Sequence, residues 1–226
     1  MSRQYQEDIA NEKVKRLLEI LVDTSVSADT YGEIMYQLGL AFGPLIRKRV
    51  KEKSAVTLAC TVEDADHLAR GIIDYLEHHK SKVFLNVFWN KRFKPAGISV
   101  APIVKQYHDK ESIKTSTIII IKSIISSSCV VRTNLTRLIE EYVPEQILVV
   151  APVLMKGSLQ KLESEFDAAI SRKFEYLYFA EDDVRKDGII IPGIGGDIYQ
   201  RLGFTDQEDK NRYIPRIVKL RRKKIG

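Results

Sequence analysis

Thr117-Ile-Ile-Ile-Ile-Lys122-Ser-Ile-Ile-Ser126-Ser-Ser-Cys129-Val-Val-Arg-Thr-Asn-Leu-Thr-Arg-Leu-Ile-Glu140 is the stretch from which the fold can be read. Its four consecutive isoleucines, Ile118 to Ile121, predict a strand buried on both faces, as strands of a parallel sheet are. Lys122 and Ser123 end it, and a loop of small residues leads into a helix expected over Val130–Tyr142. Such a loop presents free N–H groups and the positive end of a helix dipole, which together suit a phosphate. Ser126, Ser127 and Ser128 add hydroxyls, and the first turn of the helix follows Cys129. The same residues also suit a plain strand–helix connection with an N-cap.

Working outward, strands and helices alternate. Strands are expected over Ala55–Cys60, Val83–Trp89, Ile147–Pro152 and Phe174–Phe179, with a further strand over Gly97–Lys105 returning toward the second of these. Helices are expected over His67–His79 and Gly157–Phe166. This alternation predicts an α/β fold, a mainly parallel sheet flanked by helices, whose ligands would sit beyond the carboxyl ends of the strands. Upstream, Ile9, Val14, Leu17, Leu18 and Leu21 at helical spacing predict a helix over residues 4–23. A second helix is expected from Tyr31 to Lys53, weakened or kinked by Gly32, Gly39, Gly43 and Pro44. The expected organisation is an N-terminal helical extension over 1–54, a main domain over 55–209, and a basic tail over 210–226.

Eight basic residues and no acid lie from Lys210 onward, so of the net charge of +6 the first 209 residues carry −2. The body therefore does not read as a nucleic-acid surface, although the tail could touch a nucleic acid or an acidic partner. Cys60 and Cys129 have no metal-ligand spacing, and the four histidines form no cluster with them; no metal site is expected from side-chain pattern. No run of 18 uncharged apolar residues exists, and the first residues are polar. A cytoplasmic protein with no membrane segment is the expectation.

At two places the sequence resembles the type I phosphoribosyltransferases, most closely the uracil phosphoribosyltransferases. Ile118–Ile121, Ile124 and Ile125 are similar to the family's apolar frame around an acidic pair, and Ser126–Val130 fall on its sugar-phosphate loop. Gly188, Ile191, Pro192, Gly193, Ile194, Gly195 and Gly203 resemble the family's late Gly-Tyr-Ile-x-Pro-Gly-Leu-Gly-Asp segment, which recognises uracil. The resemblance implies phosphoribosyl diphosphate or a pyrimidine nucleotide as ligand, Mg²⁺ accompanying the diphosphate, and a homo-oligomer, a dimer. It also implies phosphate or ribose contacts from Lys122, Ser123, Ser126–Val130 and Arg92, and from Glu63 and Asp64 in TVEDAD. Those acids equally suit a solvated helix N-terminus. Base contacts are implied for Asp183, Ile191, Gly193, Gly195 and Asp197, with Asp182 competing for the role of Asp183.

The departures bear on activity. Lys122 and Ser123 stand where the family has its acids, and Ser128 and Cys129 stand where it has glycines. A lost carboxylate forfeits charge-assisted hydrogen bonds to ribose, each worth roughly 1.5–3 kcal/mol. A cation about 4 Å from a developing oxocarbenium opposes it by up to roughly 4 kcal/mol at an effective dielectric near 20. Cys129 at a helix start would have a lowered pKa, but no base partner is evident, and no catalytic residue is assigned. Three functions remain open: a ligand-binding sensor or regulatory subunit with little transferase activity, an active uracil phosphoribosyltransferase, or a nucleic-acid-binding regulator using the tail.

Overall fold

The computed structural model describes residues 3–51, 54–93, 95–112, 115–141 and 143–223. Lys53, Tyr142 and residues 224–226, which fall within the helices and tail expected above, lie outside the described residues. In chain order the elements are β1 (Arg3–Tyr5), α1 (Glu12–Val22), α2 (Ala28–Arg47), β2 (Val56–Thr61), α3 (Leu68–His78), β3 (Val83–Asn90), β4 (Ile103–His108), β5 (Thr117–Ile121), β6 (Ile124–Ile125), α4 (Cys129–Ile139) and β7 (Gln146–Met155). Then come α5 (Ser158–Ser164), α6 (Ala168–Ser171), β8 (Phe174–Asp182), β9 (Val184–Lys186), β10 (Ile189–Ile191), α7 (Ile198–Arg201), α8 (Gln207–Arg212) and α9 (Arg216–Lys223).

The main sheet runs β1-β8-β7-β5-β2-β3-β4, with β6 on β7. The five strands from β8 to β3 are parallel; β1 and β4 close the two edges antiparallel. The isoleucine strand β5 lies centrally, and its side chains divide between two cores. Ile119 and Ile121 join Leu58, Leu148 and Val150 under α1, α2 and α3, while Ile118 and Ile120 join Val149, Leu135 and Leu162 under α4 and α5. Each fully buried isoleucine contributes about 1.5–3 kcal/mol by leaving water. The α/β reading of the sequence is thus borne out.

The N-terminal region differs from expectation. Arg3–Tyr5 is a strand on β8, and α1 starts only at Glu12, where the Asn11 side chain accepts from the Val14 N–H at 3.0 Å. Nor is α2 broken by its glycines. They form the face that meets α3: a Cβ at Gly39 would stand 2.3 Å from the Leu68 carbonyl, and one at Gly43 2.2 Å from the Tyr75 ring. Close helix approach outweighs weak propensity, and Phe42 of α2 stacks on Phe179 of β8 at 3.9 Å. This helical pair belongs to the same apolar core as the sheet. The returning strand lies later than expected, over Ile103–His108, because between Phe93 and Val100 the chain keeps only an isolated antiparallel bridge and regular pairing with β3 starts at Ile103.

The basic segment is also part of the packed structure as far as Lys223. Lys210 is fully buried, and α9 inserts Ile217 and Val218 into the core. Asp66 caps the start of α9, accepting from the N–H groups of Arg216 (2.7 Å) and Ile217 (2.9 Å). Arg221 pairs with Asp109 at 2.6 Å and Glu77 at 2.7 Å. Lys210 and Arg221 are therefore committed internally. No helix among the described residues is long and apolar enough to cross a membrane.

Candidate functional site

Parallel pairing of β2 with β5 puts Cys60 opposite Ile121, so the residues that follow each strand meet at one sheet end. After β2 the chain makes a single 3-10 turn, Val62–Asp64, whose three residues are buried. The Thr61 hydroxyl donates to Asp64 Oδ2 at 2.7 Å, and the Ser123 N–H donates to Asp64 Oδ1 at 3.2 Å. Into this turn comes the Lys122 ammonium, 2.9 Å from Asp64 Oδ2, 3.2 Å from Glu63 Oε1 and 3.1 Å from the Ser123 hydroxyl. The solvated helix start considered for Glu63 and Asp64 is therefore corrected: these acids are buried as counter-charges to Lys122. Burial works against the charged lysine, but Asp64 and Glu63 override it and hold its pKa above the ordinary value. Burial likewise would raise the Glu63 carboxyl, yet Lys122 and Lys210 hold it below its usual range.

Lys210 completes the cluster. Its ammonium donates to the Asn90 carbonyl at 2.8 Å and stands 3.8 Å from Glu63 Oε2, an oxygen with no hydrogen-bond partner. Two carboxylates and two ammoniums make the group neutral in sum. Tyr199 covers it, with Lys210 Nζ 4.9 Å from the ring centre.

Above Tyr199 opens a cleft of about 760 Å³, bounded by the hairpin Lys91–Val100, the turn at Asp187–Ile189 and the segment Asp197–Glu208. Arg92 and Asp197 line it. The backbone of Arg92 is fixed by the Gln207 amide: the Arg92 N–H donates to Gln207 Oε1 at 2.6 Å, and Gln207 Nε2 donates to the Arg92 carbonyl at 2.9 Å. Four acids face two cations in the lining, and one of each, Glu208 and Lys91, pair at 2.6 Å. Phe93 and Ile189 on the rim are 49% and 43% exposed, apolar surface that water would leave readily.

The serine loop lies beside this cleft rather than in its lining. Ser128 is the N-cap of α4 but does not cap with its side chain; its hydroxyl donates to Glu165 Oε1 at 2.8 Å. The Ser126 carbonyl accepts from the Arg185 guanidinium. Cys129 Sγ donates to the Ser99 carbonyl at 3.2 Å, tying the loop to the hairpin. Its thiol is pushed up, mainly by burial, against the lowering expected at a helix start. Val130 packs with Ala101 and Cys129.

The Pro-Gly loop is held by a residue that the sequence left in competition. Asp182 accepts from Arg3 Nε and Nη2, at 2.9 and 2.8 Å, and from the Gly193 N–H at 2.8 Å. Asp183, its neighbour, is exposed. Tyr31 donates its hydroxyl to the Ile194 carbonyl at 3.1 Å. Gly195, with φ +80°, sits where a Cβ would be 2.1 Å from the Leu21 carbonyl, so this glycine serves contact with α1. Ile191 ends β10 half-buried, and Asp197 caps α7 through the Tyr199 N–H at 2.9 Å. Of the residues singled out from sequence, Arg92, Gly188 and Asp197 reach the cleft, and Lys122, Ser123, Glu63 and Asp64 lie together beneath it. Arg3, Tyr31, Glu165, Tyr199, Gln207 and Lys210 were not foreseen.

No protein-family model matches this sequence, and no curated protein does. Among solved structures, the AQ2163 protein from Aquifex aeolicus superposes with a TM-score of 0.68 at 15% identity, over 87% of this chain and 96% of that one. A hypoxanthine phosphoribosyltransferase from Staphylococcus aureus gives 0.44 at 13% identity over 55% of this chain and 65% of that one. A hypothetical protein from Neisseria gonorrhoeae with bound ppGpp gives 0.42 at 12% identity over 66% and 81%. The fold is thus shared with the Aquifex protein.

Proposed function

We propose that this protein binds a phosphorylated ribose ligand, phosphoribosyl diphosphate or a pyrimidine nucleotide, and serves as a sensor or regulatory subunit rather than as a transferase. The observation that carries the reading is the Lys122 ammonium locked between Glu63 and Asp64 at the end of β5. Phosphoribosyl transfer develops positive charge on the ribose ring, and a fixed cation with its carboxylates already spent gives that charge no stabilisation. The binding half is supported by the cleft beyond the carboxyl ends of the parallel strands, where α/β sheets hold ligands. There Arg92 offers a guanidinium to phosphate, Asp187 and Asp197 offer acceptors to ribose hydroxyls, and Phe93 and Ile189 offer apolar surface to a base.

A second reading, an active uracil phosphoribosyltransferase, has one observation in its favour: Asp197 brings a carboxylate into the same cleft as Arg92. One pair of assays separates the two. Thermal-shift titration with phosphoribosyl diphosphate, UMP and ppGpp should raise the melting temperature for at least the first or second, since a ligand selective for the folded state stabilises by mass action. A radiolabelled-uracil assay should show no UMP. Turnover at an ordinary rate, on the order of 1–10³ per second, overturns the sensor reading, and no shift at millimolar ligand overturns both.

A further inference from the structure

We propose that the Lys122 ammonium takes the place of a divalent cation at the Glu63–Asp64 turn, so that this chain binds no metal there and holds its phosphorylated ligand without one. The donor chemistry of the turn is what a hard cation wants: two carboxylates and a hydroxyl, all oxygen. The geometry is not. Glu63 Oε1, Asp64 Oδ2 and Ser123 Oγ converge on Nζ at 3.2, 2.9 and 3.1 Å, the last two as hydrogen bonds and the first as an ion pair, all at distances set by an ammonium. Mg²⁺ demands oxygens at about 2.0–2.1 Å in octahedral array and sheds its waters reluctantly.

Asp64 has little left to give, because the Thr61 hydroxyl and the Ser123 N–H also donate to it. Glu63 Oε2 alone is unpartnered, and it faces Lys210 at 3.8 Å. With Glu63, Asp64, Lys122 and Lys210 already balanced, an added dication would leave two uncompensated charges in a buried space. To enter, the metal would have to evict the ammonium from Glu63 and Asp64, the acids with which it pairs among the described residues. No group of three or more metal-ligating side chains occurs among the described residues. Mg²⁺ therefore does not fit the residues present, although the resemblance to phosphoribosyltransferases implies it.

Mn²⁺ alone, titrated into the full chain and followed by the electron paramagnetic resonance of the free ion, tests the metal half. The unmodified protein should show no saturable binding at millimolar Mn²⁺. Lys122→Ala should gain one bound Mn²⁺ per chain, and adding Glu63→Gln should remove it; Lys122→Gln serves should the alanine variant not fold. Saturable binding by the unmodified protein that is lost in Glu63→Gln overturns the proposal, as does failure of a folded Lys122 variant to gain the ion. The ligand half rests on the phosphorylated-ligand reading above. Its thermal shift with phosphoribosyl diphosphate should be the same in EDTA and in saturating Mg²⁺, and a shift confined to Mg²⁺ overturns it. No shift in either buffer refutes the ligand reading while leaving the Mn²⁺ result to stand by itself.

Discussion

Replacing Asp182 by alanine isolates the joint that holds the late glycine loop. The carboxylate is fully buried and accepts three hydrogen bonds, two from Arg3 and one from the Gly193 N–H; the Arg3 side chain is 8% exposed. Removing it strands a guanidinium away from water and leaves a backbone N–H unpaired. Breaking a buried pair from one side costs about 3–5 kcal/mol. For a chain of this size each kcal/mol moves the melting temperature by about 2–4 °C, so a fall of roughly 6–20 °C is expected. Urea unfolding followed by circular dichroism gives the free energy directly. A double-mutant cycle with Arg3→Met should show coupling of about 2–3 kcal/mol, because the double variant no longer buries a lone charge. A loss below about 1 kcal/mol for Asp182→Ala, or additive effects in the cycle, would refute the argument that this pair anchors the loop.

Gly195→Ala should destabilise several-fold more than Gly188→Ala: both backbones lie at positive φ, but only the first Cβ would strike a backbone carbonyl, and paired unfolding curves decide it. The Glu63 carboxyl, held below its ordinary value of 4.5, contributes stability that is complete above that pH and is lost as acid brings the folded group through its lower pKa. Urea midpoints should therefore fall below about pH 4.5, and Glu63→Gln should flatten that limb of the profile. Deleting residues 219–226 should lower the melting temperature by several degrees, because Arg221 bridges Asp109 and Glu77; an unchanged melting temperature would show those pairs to be worth nothing.

What the sequence made legible was whatever depends on local pattern. The isoleucine run, flanked by polar stops, placed β5 and implied the parallel sheet, since only a strand buried on both faces reads that way. The glycines at 193 and 195 were singled out for base contact, whereas what requires a glycine at 195 in the structure is the Leu21 carbonyl on a distant helix. Lys122 was singled out as a departure from the family's acidic pair, and Glu63 and Asp64 were singled out separately. That the three form one ionic group needed the β2–β5 pairing, which no spacing encodes. Arg3 carries no signal at all in a polar opening stretch. Lys210 was hidden by its company: a lysine among seven other bases reads as solvent-facing, and only packing against Glu63 and Tyr199 sets it apart.

The strand β1 has a consequence for how the molecule is made. Arg3 and Asp182 are 179 residues apart. At a ribosomal rate of about 5–20 residues per second, roughly 10–35 seconds separate their synthesis. During that interval the first residues have no sheet edge to join, and α1 and α2 wait for the β8 surface that carries Phe179. Once β8 emerges, its outer edge offers unpaired N–H and C=O groups until β1 arrives to cover them. Pairing of Arg3–Tyr5 with β8 thus covers, with only three residues, an edge that would otherwise stay open to strand addition.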